Sequence, residues 1–192
     1  MIKANKKSQQ KLYIRIKSFI DFFISIFLIL FSLPIFIFLI ILVKLSSRGP
    51  IFFYQKRLGR NKKIFHCIKF RTMHPEAEDL LDNLLRQNDE IRNEFEKNHK
   101  LKNDPRITPI GFLLRKTSLD ELPQLFNVLK MEMSLIGPRP IVKEEEVKYG
   151  NAINKVLSIK PGITGLWQVS GRNNLSYERR VKLDLLYSRD LN

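Results

Sequence analysis

The chain has 192 residues, 44% of them hydrophobic, and a formal net charge of +15. That length holds one domain and a membrane element and is short for two ordinary domains. The single cysteine, Cys67, excludes an internal disulfide, fits a reducing compartment and reads as a small buried hydrophobe in a strand. Charge is unevenly placed: residues 1–18 carry six Lys or Arg and no acid, residues 44–72 carry nine and no acid, and the remainder balances at 19 of each sign. The excess brackets one apolar run. Attraction to anionic membrane lipids explains that pattern, and a nucleic-acid partner does not require it.

From Phe22 to Val43 the only polar side chains are Ser25 and Ser32, and about 20 apolar residues suffice to span a bilayer core. The run lacks a small-residue cleavage site and is too long for a signal-peptide core, so it reads as retained. A straight transmembrane helix would place one basic flank outside, against the positive-inside rule. A re-entrant hairpin keeps both flanks on the cytoplasmic face. Pro34 removes a backbone hydrogen bond near the centre of the run, and Ser32 is close enough to help satisfy a freed carbonyl. The re-entrant form is expected, with its break at Ser32 and Pro34.

Beyond a turn-rich exit at SSRGP (46–50), IFFYQ (51–55) and IFHCIKF (64–70) read as a β-hairpin or neighbouring strands with the basic connection LGRNKK. Leu80, Leu81, Leu84, Leu85, Ile91 and Phe95 recur at helical spacing within 75–101, after Pro75 as a helix start, until Asp104-Pro105 breaks the pattern. A second helix is expected from about Asp120 to Met131, ended by GPRP (137–140), and an amphipathic helix over 143–159. PGITGLWQVSGRN (161–173) reads as a glycine-rich loop or short strand, and a last helix begins near Ser176. The expected fold class is α+β: a small, helix-dominated cytoplasmic domain with a short β-hairpin over 46–192. An N-terminal re-entrant helix-break-helix over 1–45 and amphipathic interfacial helices complete it.

Asp120 and Glu121 stand side by side just before Pro123, which a first helical turn tolerates. Ser118-x-x-Glu121 also matches a capping box, so a purely structural role is one reading of the pair. The surroundings point to chemistry. Arg115 and Lys116 lie upstream and Arg139 lies between two prolines downstream, and arginine recognises phosphate bidentately. A carboxylate beside a cationic phosphate pocket can hold Mg²⁺ with substrate phosphates or attack phosphorus. An aspartate needs no activating base for that attack, because its reference pKa of about 3.9 leaves it ionised at neutral pH. Adjacent helical side chains diverge by about 100°, which divides the two tasks between Asp120 and Glu121. Lys69 and Arg71 of KFRTM could reach phosphate or line a solvated strand edge. Trp167 could stack on a base, sit at a membrane interface or fill a core. His66, His74 and His99 lack metal-ligand spacing.

The order of these motifs resembles the bacterial sugar transferases, the monotopic phosphoglycosyl transferases. The resemblance rests on FSLP in the apolar run, RGPIFFYQKRLGRNKKIFHCIKFRTM, LKNDPRITPIGFLLRKTSLDELPQLFNVLKMEMSLIGPRP and KPGITGLWQVSGRN, and covers most of residues 15–175. The insert at 75–104 is similar to that of hexose-1-phosphate transferases that start capsule or exopolysaccharide synthesis. The resemblance implies a re-entrant helix at the cytoplasmic face of the bacterial inner membrane and a UDP-sugar as donor. It implies transfer of sugar-1-phosphate to undecaprenyl phosphate with release of UMP. Asp120 would be the nucleophile and form a covalent phosphosugar, with Glu121 completing the dyad and Mg²⁺ bound at both carboxylates. Arg115, Arg139, Lys69 and Arg71 would serve phosphate or nucleotide, and the family suggests a homodimer. Two departures stand out: Leu33 separates Ser32 from Pro34, and YSRDLN stops short of the family's usual aromatic, Asp-containing tail. The rival readings are a membrane-tethered lipid-binding module without chemistry, an inactive truncated member, and a glycosyltransferase that moves the sugar alone and releases UDP.

Overall fold

A computed structural model describes residues 2–98, 101–171 and 174–190, so His99 and the Arg172-Asn173 end of the glycine-rich motif lie outside the described residues. The chain is mostly helical with two small sheets, an α+β arrangement. It divides into two units, one of residues 1–33, 54–68 and 123–192, the other of residues 34–53 and 69–122.

The apolar run forms two helices, α1 (Ile2–Phe31) and α2 (Leu33–Ser46), which bend by 64° at the break. The break falls on Ser32, whose hydroxyl donates to the Leu28 carbonyl at 2.5 Å, and Pro34 occupies the first turn of α2, where its missing N–H is tolerated. Ser25 likewise donates to the Asp21 carbonyl at 2.7 Å. Both serines thus satisfy their hydroxyls within the helix, which lets a polar side chain sit in an apolar segment. Among the described residues no single helix is long and apolar enough to cross a membrane, whereas the bent pair together reaches that length and composition.

In the first unit, strands β1 (Phe52–Leu58) and β2 (Ile64–Phe70) meet at a tip closed by a hydrogen bond from Gly59 N to Lys63 O; the bases of both strands continue into the second unit. Phe65 and Cys67 of β2 pack with Val128 and Met133, so Cys67 is the buried strand residue expected. The short strands β3 (Ser134–Ile136) and β4 (Gly162–Thr164) run parallel, Ser134 opposite Gly162 and Ile136 opposite Thr164. A second cluster joins Leu58, Ile141, Tyr149, Ile153, Val156 and Leu157.

The second unit holds the insert and the proline-bounded turn. The single helix expected over 75–101 is two, α3 (Ala77–Gln87) and α4 (Asp89–Asn98). Asn88 divides them: its backbone is extended and its side-chain oxygen accepts from Glu90 N and Ile91 N, capping α4. A helix that the apolar periodicity did not announce, α5 (Pro109–Thr117), follows, and α6 (Gln124–Leu129) of the first unit comes next. Within the second unit Phe70 stacks on Phe52 at 5.4 Å and meets Phe36 of α2 at 5.8 Å.

The amphipathic helix expected over 143–159 is also broken, into α7 (Glu146–Tyr149), α8 (Ile153–Val156) and intervening turns. Gly150, at φ 50°, ends α7 in a conformation that favours glycine. Downstream, PGITGLWQ forms β4 and then α9 (Leu166–Val169), and the last helix, α10, runs Tyr177–Asp190 as expected from Ser176 onward.

Candidate active site

The site is built outward from the end of β2. Thr72 O accepts from Thr108 N at 3.0 Å, and Thr108 Oγ1 accepts from Gly111 N at 2.9 Å, capping α5. Pro109 fills the first helical position, where an N–H would have no partner. Gly111 is required by proximity, since a Cβ there would lie 1.9 Å from Thr72 O. This close seating of α5 sets Arg115 on its last turn, where Nε donates to Thr72 Oγ1 at 2.9 Å.

Ser118 closes α5 in the left-handed region (φ 59°, ψ 17°), and Leu119–Glu121 then form one 3-10 turn before Pro123. The Ser118-x-x-Glu121 capping box does not form, and Ser118 makes no side-chain cap bond. The helix expected from Asp120 starts only at Gln124, after Pro123. The two carboxylates therefore occupy an irregular turn. Asp120 is 8% exposed. Glu121 is more open, and its Oε1 lies 2.6 Å from Lys69 Nζ. Burial pushes the Asp120 carboxyl above the usual carboxylate range and the Glu121 charge adds to the push, while Lys69 and Arg115 oppose it. A carboxylate stripped of water but flanked by cations is a stronger base and nucleophile than a solvated one, with charge available to meet phosphate. Among the described residues no three His, Cys, Asp or Glu side chains converge on a metal position. Two adjacent carboxylates nonetheless match Mg²⁺, which takes one or two carboxylates and completes its shell with substrate phosphates and water.

Lys69, Arg115, Asp120 and Glu121 are thus gathered in one unit. Arg71, in that unit too, has another engagement. It is 7% exposed, and its Nη2 donates to Ser47 O at 2.7 Å, Ser47 Oγ at 2.9 Å and Val43 O at 3.5 Å. A cation here meets the last carbonyls of α2, the favourable end of the helix dipole. Gly49 (φ 123°) admits it, because a Cβ would lie 2.4 Å from Arg71 Nη1. The end of the strand therefore sends Lys69 to Glu121, and the residue just past that end, Arg71, goes to the exit of α2.

Arg139 belongs to the other unit. The GPRP segment is fixed there against PGITG by two close backbone bonds, Gly137 N to Thr164 O at 2.9 Å and Gly162 N to Pro138 O at 2.8 Å. A Cβ on Gly162 would come within 2.1 Å of Gly137 N, which accounts for glycine in that motif. The Arg139 guanidinium lies 5.5 Å from the centre of the Trp167 ring, and that of Arg180 lies 5.0 Å from it. Trp167 is 5% exposed, so it is a core aromatic under two cations and offers no free face for a base.

Sequence reading passed over three positioning residues. Thr72 orients Arg115. Asn127 clamps β2, accepting from Ile68 N at 3.0 Å and donating to His66 O and Glu132 Oε2, each at 2.7 Å. Asp184 accepts from Tyr149 Oη at 2.9 Å and, at 3.4 Å, from Arg139 N. An Asn among the apolar residues of QLFNVL and an Asp among the apolar residues of α10 were the available signals.

The family model described as bacterial sugar transferase matches residues 12–192. The chain is 55% identical over 163 residues to an uncharacterised sugar transferase of Haemophilus influenzae, covering 85% of this chain and 34% of that protein. It is 47% identical to the exopolysaccharide production protein ExoY of Rhizobium meliloti, covering 85% and 72%. It is 48% identical to the undecaprenyl-phosphate galactose phosphotransferase of Salmonella typhimurium, covering 90% and 36%. The chain thus spans about a third of the Haemophilus and Salmonella relatives and nearly three quarters of ExoY. With the match reaching from before the apolar run to the last helix, the chain belongs to the bacterial sugar transferase family.

Proposed function

We propose that this chain is a phosphoglycosyl transferase that moves a sugar-1-phosphate from a UDP-sugar to undecaprenyl phosphate and releases UMP. The observation that carries the reading is the desolvated Asp120 in a turn with Glu121, facing Lys69 and Arg115. In the first step an Asp120 carboxylate oxygen attacks the β-phosphorus of the donor. The bond from that phosphorus to the bridging oxygen breaks, and its electron pair leaves with UMP. Lys69 and Arg115 supply cationic charge to the phosphoryl oxygens. In the second step a phosphate oxygen of the lipid attacks the same phosphorus and the Asp120 carboxylate departs, regenerated. Glu121 and Asp120 would hold Mg²⁺, which when bound offsets the charge of the pyrophosphate. Arg139, on the GPRP segment, would serve the nucleotide.

Transfer to a lipid phosphate needs the nucleophile at headgroup level. The bent α1–α2 pair supports that placement: on this reading it would enter and leave one leaflet from the cytoplasmic face of the bacterial membrane, with both basic flanks on that side. The basic flanks would hold the chain to anionic lipid at about 1 kcal/mol per residue close to the surface.

The test is nucleotide release by the chain in nanodiscs with Mg²⁺, undecaprenyl phosphate and UDP-sugars offered singly. UMP from one sugar is expected and also names the donor. Release of UDP would mean transfer of the sugar alone and would remove Asp120 from the nucleophile's role. A panel with no release at all would favour the lipid-binding module.

A further inference from the structure

The first unit contains a cavity of about 30 Å³ whose charged lining is Lys17, Asp21, Arg60 and Lys160. Ile14, Lys17, Ser18 and Asp21 are spaced so that one face of α1 forms one wall. Asp21 is already committed. It accepts from Lys17 Nζ at 2.8 Å and from Ser134 Oγ at 2.5 Å, and Lys17 Nζ also donates to Ser134 Oγ. Lys160 and Arg60 meet neutral acceptors: Lys160 Nζ is 3.4 Å from Ser18 Oγ and 3.8 Å from Met131 Sδ, and Arg60 Nε donates to Ser158 O at 3.0 Å. Three cations thus share one engaged carboxylate. Burial lowers the Lys160 pKa; Asp21 resists this, and the charges of Arg60 and Lys17 add to it. An anion between Lys160 and Arg60 would relieve that repulsion.

The remaining lining narrows the kind of anion. Ile14, Ile136 and Ile159 form apolar wall, and Ile136 is half exposed at the mouth. The neighbouring surface of α1 presents Leu12, Ile16, Phe19 and Phe23, all exposed, and the apolar run begins at Phe22. The volume admits about two water-sized groups, enough for two phosphoryl oxygens while the ester stays outside. We propose that this pocket binds the phosphate of an anionic phospholipid headgroup, its acyl chains lying along the exposed face of α1. The proposal rests on the membrane placement given above and adds a defined lipid site to it.

The test uses the full chain in a neutral maltoside detergent. It is titrated with dihexanoyl phosphatidylglycerol, dihexanoyl phosphatidylcholine or inorganic phosphate, and binding is read by calorimetry and by the shift in Tm. Phosphatidylglycerol is expected to bind and raise Tm, and the Lys160→Gln/Arg60→Gln variant to bind it about tenfold more weakly or worse. Lys143→Gln/Lys182→Gln removes the same charge from exposed positions outside the pocket and outside both basic flanks, and is expected to bind as wild type. Equal binding of inorganic phosphate, lost in the pocket variant, would overturn the lipid assignment and leave a free-phosphate site. No binding by wild type, or equal weakening in both variants, would overturn the pocket altogether. UMP release on the same samples separates the two readings: lost headgroup binding with release intact breaks the pocket alone, and the converse breaks the transferase reading alone.

Discussion

Asp120 and Asp184 are both buried, and burial raises both carboxyls. Their company differs. Asp120 sits in an irregular turn beside a second carboxylate, with Lys69 and Arg115 as charged neighbours. Asp184 sits mid-helix on α10 and accepts from a phenol and a backbone amide; burial raises its pKa to about 7 against those bonds and the one charge of Arg139. Two cations beside Asp120 oppose the protonation that burial favours. At Asp184 two hydrogen bonds and one cation do not offset burial, and the carboxyl is a strut that carries a proton near neutrality. Burial is therefore common to both acids, and what sets Asp120 apart is a pair of cations and a neighbouring carboxylate.

That contrast breaks first at Asp120→Asn. The change keeps the shape and removes the proposed nucleophile, so turnover is expected to fall by about 10³-fold or more, with no covalent phosphosugar in the intact-mass spectrum. The fold should tolerate it, because a buried charge is relieved. Asp184→Asn should instead retain the covalent phosphosugar and act on UMP release only through the position of Arg139. An Asp120→Asn variant turning over at the wild-type rate would reverse the assignment of roles.

Lys69→Met sharpens the same point. The lysine lowers the Asp120 pKa and pairs with Glu121, so its loss removes a cation from both acids. The acid limb of kcat/KM should move to higher pH, because more hydroxide is then needed to ionise Asp120, and the plateau should drop by about 100-fold. A pH profile of the variant that overlays the wild-type limb would show that Lys69 does not act on Asp120.

Asp184 gives a stability effect with a definite sign. Its folded pKa, about 7, exceeds the reference 3.8, so between those values the native state holds a proton that the unfolded chain has lost. The group's contribution is fully present below about pH 4 and declines as pH rises to about 7, by at most about 1.4 kcal/mol per pH unit. Melting of wild type against Asp184→Asn from pH 4 to 8 isolates it: the Asn variant should gain relative stability as pH rises. A constant difference would mean that Asp184 is ionised throughout.

These positions also show what a sequence can and cannot display. The grouping of Asp120, Glu121, Arg115 and Lys69 was legible because each is a chemical type standing in a run of unusual spacing, DELPQ after LLRK and KFRTM after a β-branched strand. The helix break was legible in Pro34 and in charge on both sides. The backbone around the dyad was not. Ser118 and Pro123 suggest a cap and a first turn, yet the left-handed φ at Ser118 depends on how α5 ends, and α5 itself is seated by Gly111 against Thr72, a contact 39 positions away in the chain. Arg71 and Lys69 look equivalent in sequence, two residues apart in KFRTM. They part because Arg71 meets the carbonyls at the end of α2, and only the folded backbone brings those carbonyls to it. Asp184 looks like an ordinary helical acid until Tyr149, 35 residues away, is seen to donate to it.

Ser118 supplies the smallest and most discriminating effect. If its hydroxyl capped a helix over Asp120, Ser118→Gly would cost a few tenths of a kcal/mol. The structure has the residue at φ 59° with no side-chain cap bond. A non-glycine residue pays about 1–2 kcal/mol for that conformation, and glycine escapes it at the expense of greater freedom in the unfolded chain. The net expected from Ser118→Gly is a stabilisation of about 0.5–1 kcal/mol, or about 1–4 °C in Tm for a chain of this size. UMP release should be little changed, because the turn that holds Asp120 and Glu121 keeps its geometry. The sign of the Tm shift thus decides between two local structures for the dyad. An increase places the carboxylates in a turn set by a left-handed residue; a decrease returns them to the first turn of a helix, where Asp120 would face backbone N–H groups and its pKa would be pulled down instead of up.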